Sequence, residues 1–167
     1  MKAECQNGWA IRIFVPLVLL MVVLMAGPAW AETLKCRLVN GVTKMETMAV
    51  GDEEGHVVGV YERKGVMMHE NGEVANEATW GIFDSAKGWQ GYCLQTFQDG
   101  STIWMRHQGS MQKGKIVEAT FELTGGTGRY EGIKGGGTFT GGYVSYSEDS
   151  GGFGDFHFTG TYTLPKK

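Results

Sequence analysis

The chain has 167 residues, a formal net charge of −3, 27 glycines, three cysteines and 11% aromatic residues. Its basic residues are scattered singly among acidic ones, which excludes the clustered basic surface of a nucleic-acid-binding protein. High glycine without proline or a repeat period excludes a collagen-like chain, and the aromatic content excludes a disordered one. We therefore expect no nucleic-acid partner and one globular domain.

The first 31 residues are predicted to be a secretory signal peptide. Lys2 and Arg12 precede an unbroken apolar run, residues 13–26, and Ala29-Trp30-Ala31 is typical of a cleavage site. This run is too short to cross roughly 30 Å of hydrocarbon as a helix. The β-rich remainder, residues 32–167, is expected to be exported, periplasmic or secreted, with no membrane span after cleavage. Retention as an uncleaved anchor is the alternative.

Two cysteines, Cys36 and Cys93, remain after the leader. An even pair in an oxidising compartment favours one disulfide, which would contribute roughly 3 to 4 kcal/mol. The alternative is two separate buried thiols, because the distance between them does not follow from the sequence. No second cysteine pair and no histidine at ligand spacing accompany them. No zinc or other metal site is predicted.

Turn signals recur along the chain, and between them apolar residues mostly alternate with polar ones, as in half-buried strands. The turns are expected at residues 51–55, 71–72, 84–88, 99–100, 109–114, 125–137 and 147–154. This spacing gives seven or eight short strands between residues 34 and 164, and no convincing helix. The predicted fold class is all-β, a small closed antiparallel β-barrel of about eight strands; a β-sandwich is the alternative.

The Asn71-Gly72 dipeptide predicts a two-residue hairpin turn. In that register Arg63 lies opposite Trp80 on the inner face, with Tyr61 beside them. A forked guanidinium next to aromatic rings can bind a carboxylate or a developing oxyanion while the rings hold the apolar remainder. Arg63, Trp80 and Tyr61 are therefore candidate ligand-binding residues. The alternative is a cation–π contact near the barrel mouth, with the guanidinium in water. The inner face of the second strand would be Val74, Ala78, Trp80 and Ile82.

The Asp99-Gly100 dipeptide predicts a second such turn. The more apolar face of this hairpin carries Tyr92, Leu94, Thr96, Ile103, Met105 and His107. It places His107 near Tyr92, and an imidazole and a phenol inside an apolar barrel can exchange a proton with a substrate. These two are the candidate catalytic residues; a satisfied hydrogen bond in the core is the alternative. A one-residue shift of register would instead turn the opposite face inward. That rival face carries Cys93, Gln95, Trp104 and Arg106.

Later segments alternate so regularly that their inner faces can be assigned directly. In residues 115–123 the inner side chains are predicted to be Val117, Ala119, Phe121 and Leu123. In residues 155–163 they are predicted to be Phe156, Phe158, Gly160 and Tyr162, with Phe139 and Tyr143 on the strand between. Aromatic and small residues of this kind suit the interior of a small barrel.

Two motifs are assigned no chemistry. The cluster of Asp52, Glu53, Glu54 and His56 is interpreted as a solvated acidic turn, because calcium loops alternate their oxygen ligands and this cluster does not. The glycine-rich residues 125–132 lack the Gly-Lys-Ser/Thr ending of a phosphate loop and join two strands. No nucleophile–base motif is present, and no cofactor is predicted.

Residues 121–135, with the sequence FELTGGTGRYEGIKG, resemble a known signature. It is the F-x-x-x-G-G-T-G-x-Y/F-x-G-x-x-G pattern of the barrel shared by plant allene oxide cyclases, dirigent proteins and their bacterial relatives. Residues 137–141 continue in the same style, and residues 55–56 and 70–73 resemble exported bacterial members of the group. The resemblance implies an eight-stranded antiparallel barrel with an apolar cavity. It also implies that the barrel assembles as a homo-oligomer, with a trimer expected by analogy to the family. The plant enzymes work largely by holding reactive apolar intermediates in a shaped cavity. No position here matches a plant catalytic residue, so no catalytic role is transferred.

Three functions are consistent with these observations. The first is an exported barrel that binds a small apolar or acidic organic molecule. The second is a cyclase or isomerase acting on a reactive apolar substrate held in the cavity. The third is a structural or interaction barrel with a solid core, whose outer face or oligomer edge carries the function.

Overall fold

A computed structural model describes residues 30–112, 115–145 and 152–166, with side chains described outside residues 111–118 and 143–145. The predicted leader therefore lies outside the described residues, except for Trp30 and Ala31. The chain divides between these two residues, and the β-strands all belong to the second unit, Ala31–Lys167. Within the described ranges, no helix is long and apolar enough to cross a membrane.

The described residues form a closed barrel of eight antiparallel strands in chain order, and β1 also pairs with β8. The strands are β1 (Glu32–Ala49), β2 (Val57–His69), β3 (Val74–Asp84), β4 (Gly88–Phe97), β5 (Thr102–Gln112), β6 (Lys115–Thr127), β7 (Lys134–Ser145) and β8 (Phe153–Thr163). A short 3-10 helix, Gly128–Tyr130, connects β6 to β7. The predicted fold class is confirmed. The turn predicted over residues 125–137 is shorter than expected, because residues 125–127 still belong to β6 and residues from 134 onward to β7, so that only residues 128–133 connect the two strands.

The inner faces predicted for the later strands are correct wherever their side chains are described. The buried side chains are Ala119, Phe121 and Leu123 on β6, Phe139 on β7, and Phe156 and Phe158 on β8. The rings of Phe139 and Phe158 stack with their centroids 4.6 Å apart. The predictions for Val117 and Tyr143 concern side chains outside the described set. Strict alternation with aromatic residues on one face was sufficient to assign these strands.

Both predicted hairpins exist, but each loop has three residues instead of two. The backbone N–H of Gly72 donates to the carbonyl of His69 at 2.9 Å, and the N–H of His69 donates to the carbonyl of Glu73 at 2.8 Å. The loop between β4 and β5 repeats the pattern, with Gly100 donating to Phe97 at 3.0 Å. The φ angles of Gly72 and Gly100, +86° and +81°, are in the left-handed region that favours glycine in such loops.

The extra loop residue moves every cross-strand partner by one position, which exchanges the two faces of a strand. The prediction of an inward Val74, Ala78, Trp80 and Ile82 is therefore wrong. The inner side chains of β3 are instead Ala75, Glu77 and Thr79, all buried. On β5 the predicted Ile103, Met105 and His107 do face inward. On β4 the buried side is the rival face with Cys93 and Gln95, and Phe97 is buried with them.

One end of the barrel is filled by its own side chains. At the end that carries both three-residue loops, the interior contains Leu34, Met67, Phe97, Ile103, Tyr130 and Ile133. The rings of Phe97 and Tyr130 lie 4.8 Å apart between centroids. In the described part of the chain, this packing fills the interior at that end of the barrel.

Candidate functional site

The barrel contains a cavity of about 490 Å³ in the half that lies away from the packed end. Its wall is mainly apolar and includes Leu38, Met45, Phe83, Trp89, Met105, Phe139, Phe156 and Phe158. Its polar wall residues include Asn40, Tyr61, Arg63, Thr79 and His107. The turn between β3 and β4 contributes Ser85, so the cavity reaches the end of the barrel where this turn lies. An apolar wall with a few polar groups is typical of small-molecule sites.

Arg63 is the cationic residue of the cavity wall. It lies on β2 opposite Thr79 and is 8% exposed. Its guanidinium lies 4.9 Å from the centre of the Tyr61 ring. Burial lowers the pKa of Arg63, while Tyr61 and Glu77 oppose that shift; a guanidinium nevertheless stays charged in proteins. The cavity therefore offers a fixed positive charge to a ligand oxygen.

Tyr61 lies between Arg63 and the mouth of the barrel on β2. Its phenol occupies the space above Gly81, so any side chain at position 81 would collide with the hydroxyl. Burial raises the pKa of Tyr61 to about 12, although the charge of Arg63 opposes this shift. Tyr61 is thus a neutral phenol, which can donate and accept a hydrogen bond.

His107 lines the same cavity from β5, opposite Gly91. Burial and, to a smaller extent, the charge of Arg63 lower the pKa of His107 to about 4. The imidazole is therefore neutral at physiological pH. Its Nε2 is buried and has no hydrogen-bond partner among the described residues. A neutral imidazole beside a guanidinium can accept a proton while the cation stabilises a developing negative charge.

A buried polar cluster below Arg63 was not predicted from the sequence. Glu77 is 3% exposed and accepts hydrogen bonds from the Thr79 hydroxyl and, at 3.4 Å, from the Asn40 amide. Burial raises the pKa of Glu77, and its hydrogen bonds and Arg63 partly offset that shift. The Oδ1 atom of Asn40 is buried without a partner in the described part of the chain. The two-residue turn predicted at Asn71-Gly72 places Glu77 on the outer face, whereas the three-residue loop in the structure places it on the inner face.

The structure brings three of the five predicted site residues together and separates two. Arg63, Tyr61 and His107 line the cavity. Trp80 and Tyr92 lie on the outer face, 41% and 53% exposed. The predicted pairs Arg63–Trp80 and His107–Tyr92 are therefore wrong, because both loops are one residue longer than predicted.

Three exposed aromatic residues form a cluster on the outer face of β3, β4 and β5. The rings of Trp80 and Trp104 stack with their centroids 6.5 Å apart. Tyr92 pairs with Trp80 across the β3–β4 ladder. We call Trp80, Tyr92 and Trp104 the outer aromatic cluster. The guanidinium of Arg63 lies on the opposite, inner side of the sheet, in contact with the Tyr61 ring.

Cys36 and Cys93 do not form the expected disulfide in the structure, where both are free and buried. They lie on β1 and β4, which are not neighbours in the barrel. The thiol of Cys36 lies 3.4 Å from the sulfur of Met67. Burial raises the pKa of Cys36 to about 12 and that of Cys93 well above its usual range. Neither thiol is ionised at neutral pH, so neither is an activated nucleophile.

His56 links two turns at the mouth of the barrel. Its Nδ1 lies 2.6 Å from a carboxylate oxygen of Asp52, and its Nε2 lies 3.0 Å from one of Asp84. Asp84 also lines the cavity. The predicted solvated acidic turn is exposed at Asp52, Glu53 and Glu54. Among the described residues, no group of three or more histidines, cysteines or acids is arranged to hold a metal ion.

Comparison with known proteins identifies the fold. No protein-family model and no curated protein match the chain. Among solved structures, the pterocarpan synthase dirigent protein GePTS1 matches with a TM-score of 0.51 and 13% identity, over 84% of this chain and 96% of that one. The pterocarpan synthase dirigent protein PsPTS1 matches with a TM-score of 0.52 and 14% identity, over 84% and 99%. The chain therefore has a dirigent-like barrel fold, as its glycine-rich signature predicts.

Proposed function

We propose that this chain is an exported barrel that binds a small, mainly apolar organic molecule carrying an acidic or carbonyl oxygen. The observation that carries the proposal is the 490 Å³ apolar cavity with the buried guanidinium of Arg63 in its wall. Ligand sites of roughly 300 to 1,000 Å³ with few, well-placed polar groups are the common pattern for small molecules. Export rests on the predicted leader.

Two further atoms of the cavity wall support a bound polar group. His107 Nε2 and Asn40 Oδ1 are buried without hydrogen-bond partners among the described residues. Each such atom costs about 1 to 3 kcal/mol unless a ligand or an ordered water supplies a partner. The Nε2 of His107, in the tautomer that carries a proton there, could donate to a ligand oxygen near Arg63. The Oδ1 of Asn40 accepts only, so it would need a ligand hydroxyl or an ordered water as its donor, and the apolar part of the ligand would contact the aromatic wall.

Thermal unfolding in the presence of apolar monocarboxylates, with their methyl esters as comparison, tests this proposal. We expect the acids to raise the melting temperature more than the esters. Native mass spectrometry of the protein from its own compartment should also show a retained small molecule. Arg63→Gln should abolish the advantage of the acids, whereas Trp80→Ser, on the outer face, should keep it. Absence of stabilisation by every compound would refute the proposal.

A cyclase or isomerase acting on a reactive apolar substrate is the second candidate function. The observation that favours it is the neutral His107 in the same cavity wall as Arg63, an arrangement that can pair a base with an oxyanion partner. Pterocarpan formation, the activity named for the two similar dirigent proteins, is the first assay to attempt. We expect His107→Leu to lower turnover at least tenfold with the fold intact. Equal turnover in the variant would remove His107 from the mechanism.

An interaction role is the third candidate, favoured by the outer aromatic cluster. Mixed charges flank the cluster, with Arg106 paired to Glu122 and Lys64 paired to Glu62. An apolar patch with a rim of both signs can contact a second copy of itself, as symmetric homo-oligomers do. We therefore propose self-association through this face. Light scattering should show an oligomer that Trp104→Ser dissociates, and a monomeric wild-type protein would refute the role.

A further inference from the structure

We propose that Glu77 sets the charge preference of the cavity, balancing Arg63 until an anionic ligand binds and then accepting a proton from solvent. The proposal rests on the proposed function, because it concerns the same cavity. It specifies the ligand as an amphipathic monoanion whose binding is coupled to the uptake of one proton. The carboxylate of Glu77 is the acceptor, so the total charge of the buried cluster is conserved.

The positions of the two residues define this coupling. Arg63 pairs with Thr79 across β2 and β3, and Glu77 is the next inward residue of β3 toward the packed end. Diagonal neighbours on one face of a sheet lie about 7 to 8 Å apart at their backbones, within reach of long side chains. Arg63 lines the cavity and is 8% exposed, whereas Glu77 lies behind it and is 3% exposed. An anion in the cavity would approach Arg63 from the side opposite Glu77.

Among the described residues, Arg63 is the cation whose charge acts on the pKa of Glu77. From β1 and β3 it receives the Asn40 amide and the Thr79 hydroxyl, and from β4 it is in hydrogen-bonding contact with Cys93. Gln95 on β4 faces Glu77 directly and is hydrogen-bonded at 3.0 Å to His69. Arg63 on β2 is thus the charge that balances a Glu77 carboxylate.

A buried charge is tolerated only when it is paired. If a ligand anion shares Arg63 with an ionised Glu77, two negative charges face one positive charge in an apolar interior. Uptake of a proton by Glu77 removes the excess charge, and the protonated acid can still hydrogen-bond within its cluster. The donors around Glu77 do not change, so only the balance with Arg63 decides its protonation. A neutral ligand leaves that balance as it is.

Two fluorescent probes of similar shape test the proposal on the full protein. Anilinonaphthalenesulfonate is an anion at every pH used, and N-phenylnaphthylamine is its neutral counterpart without the sulfonate. We expect the dissociation constant of the anionic probe to rise by more than about tenfold from roughly pH 6 to pH 8.5, with a limiting slope of about tenfold per pH unit where one full proton is taken up. The neutral probe should change less than about twofold, because its binding requires no proton.

Variants then assign the effect to Glu77. Glu77→Gln keeps the size and polarity of the side chain, and it should remove most of the pH dependence of anionic-probe binding while leaving the neutral probe unaffected. The same titrations in Trp80→Ser exclude binding at the outer aromatic cluster. A Glu77→Gln protein that retains the wild-type pH dependence would overturn the proposal. Equal pH dependence for both probes in wild-type protein would also overturn it, even if the variant does not fold. If neither probe binds the wild type, the proposed function fails as well.

Discussion

His107 lies opposite Gly91 across β4 and β5, and its Nε2 occupies the space that a side chain at position 91 would need. A β-carbon on Gly91 would lie 3.0 Å from this nitrogen. The imidazole is therefore held over the barrel wall, and Nε2 is buried there without a partner among the described residues. A polar atom kept in this state lowers stability, which is expected at a binding site and unexpected in a purely structural core.

We expect His107→Leu to stabilise the protein while weakening ligand binding. The substitution removes a buried unpartnered nitrogen and retains apolar volume, so the free energy of unfolding should rise by about 1 kcal/mol. Urea unfolding measures the change, with His157→Leu as a control because His157 is exposed on β8. A loss of stability at His107→Leu would show that the imidazole is hydrogen-bonded in the folded protein, contrary to the structure.

The same residue predicts how stability responds to acid. The pKa of His107 is lowered from 6.5 to about 4 by burial, so between these values the unfolded chain binds a proton that the folded chain does not. Stability present above pH 6.5 is therefore lost as the pH falls, by about 2 to 3 kcal/mol over this range. The raised pKa of Glu77 acts in the opposite direction. Unfolding curves of wild type and His107→Leu at several pH values isolate the histidine, and parallel curves would contradict its assignment.

His56 predicts a second pH effect of the opposite sign. The hydrogen bond to Asp52 raises the pKa of His56 above 6.5, with Asp84 as a further partner. A raised pKa means that the folded protein holds this proton more tightly than the unfolded chain. The stability it contributes is complete below pH 6.5 and is lost as the pH rises through the folded-state pKa.

The measurement for His56 is an NMR titration of the imidazole combined with thermal unfolding between about pH 6.5 and 8.5. In this range His107 stays neutral, so its proton does not contribute. His56→Gln should unfold with a weaker pH dependence than the wild type. A titration midpoint at or below 6.5 would show that the contacts with Asp52 and Asp84 do not form in solution.

The sequence predicts the barrel correctly, but the inner and outer faces predicted for β3 and β4 are exchanged. The reason is physical. On β6 and β8 one face is aromatic and the other polar, so Phe121 and Phe158 could be assigned without knowing any loop. On β3 both faces carry apolar side chains, and Trp80 is a stronger apolar signal than the buried Ala75. The faces of such a strand depend on the loop length alone.

The same ambiguity explains which site residues were found. Arg63, Tyr61 and His107 were identified because their own strands were oriented correctly, although their predicted partners were not. Glu77 was missed because Trp80 was predicted to face inward, which places Glu77 on the opposite face of β3. An acidic residue on that face is normally solvated. Asn-Gly and Asp-Gly occur in two-residue and three-residue loops, since both need a residue with positive φ. Composition alone does not separate these cases.

Gly72 gives a direct test of the three-residue loop. Its φ of +86° is costly for any residue with a β-carbon, so Gly72→Ala should lower the free energy of unfolding by about 1 kcal/mol. Gly125→Ala is the matched control, because a β-carbon there would meet no atom within 4 Å and its φ is outside the left-handed region. Chemical denaturation of both variants measures the difference. Equal effects would contradict the loop geometry.

The last prediction concerns the oxidation state of the two cysteines. The expected compartment and the structure predict different states for them. An oxidising compartment favours a disulfide between Cys36 and Cys93, whereas the structure has both as free, buried thiols. With the pKa of Cys36 raised to about 12, almost no thiolate is present at neutral pH.

Thiol titration of the protein isolated from its own compartment distinguishes these two states. If both thiols are reduced, neither reacts with an aromatic disulfide reagent under native conditions, and both react after unfolding in denaturant without reductant. If the pair is oxidised, no reactive thiol from these two residues appears in either condition until reductant is added. An oxidised pair would bring β1 and β4 together across the barrel interior. Cys93 lies in the cavity wall, so this titration also reports the chemical state of a residue of the candidate site.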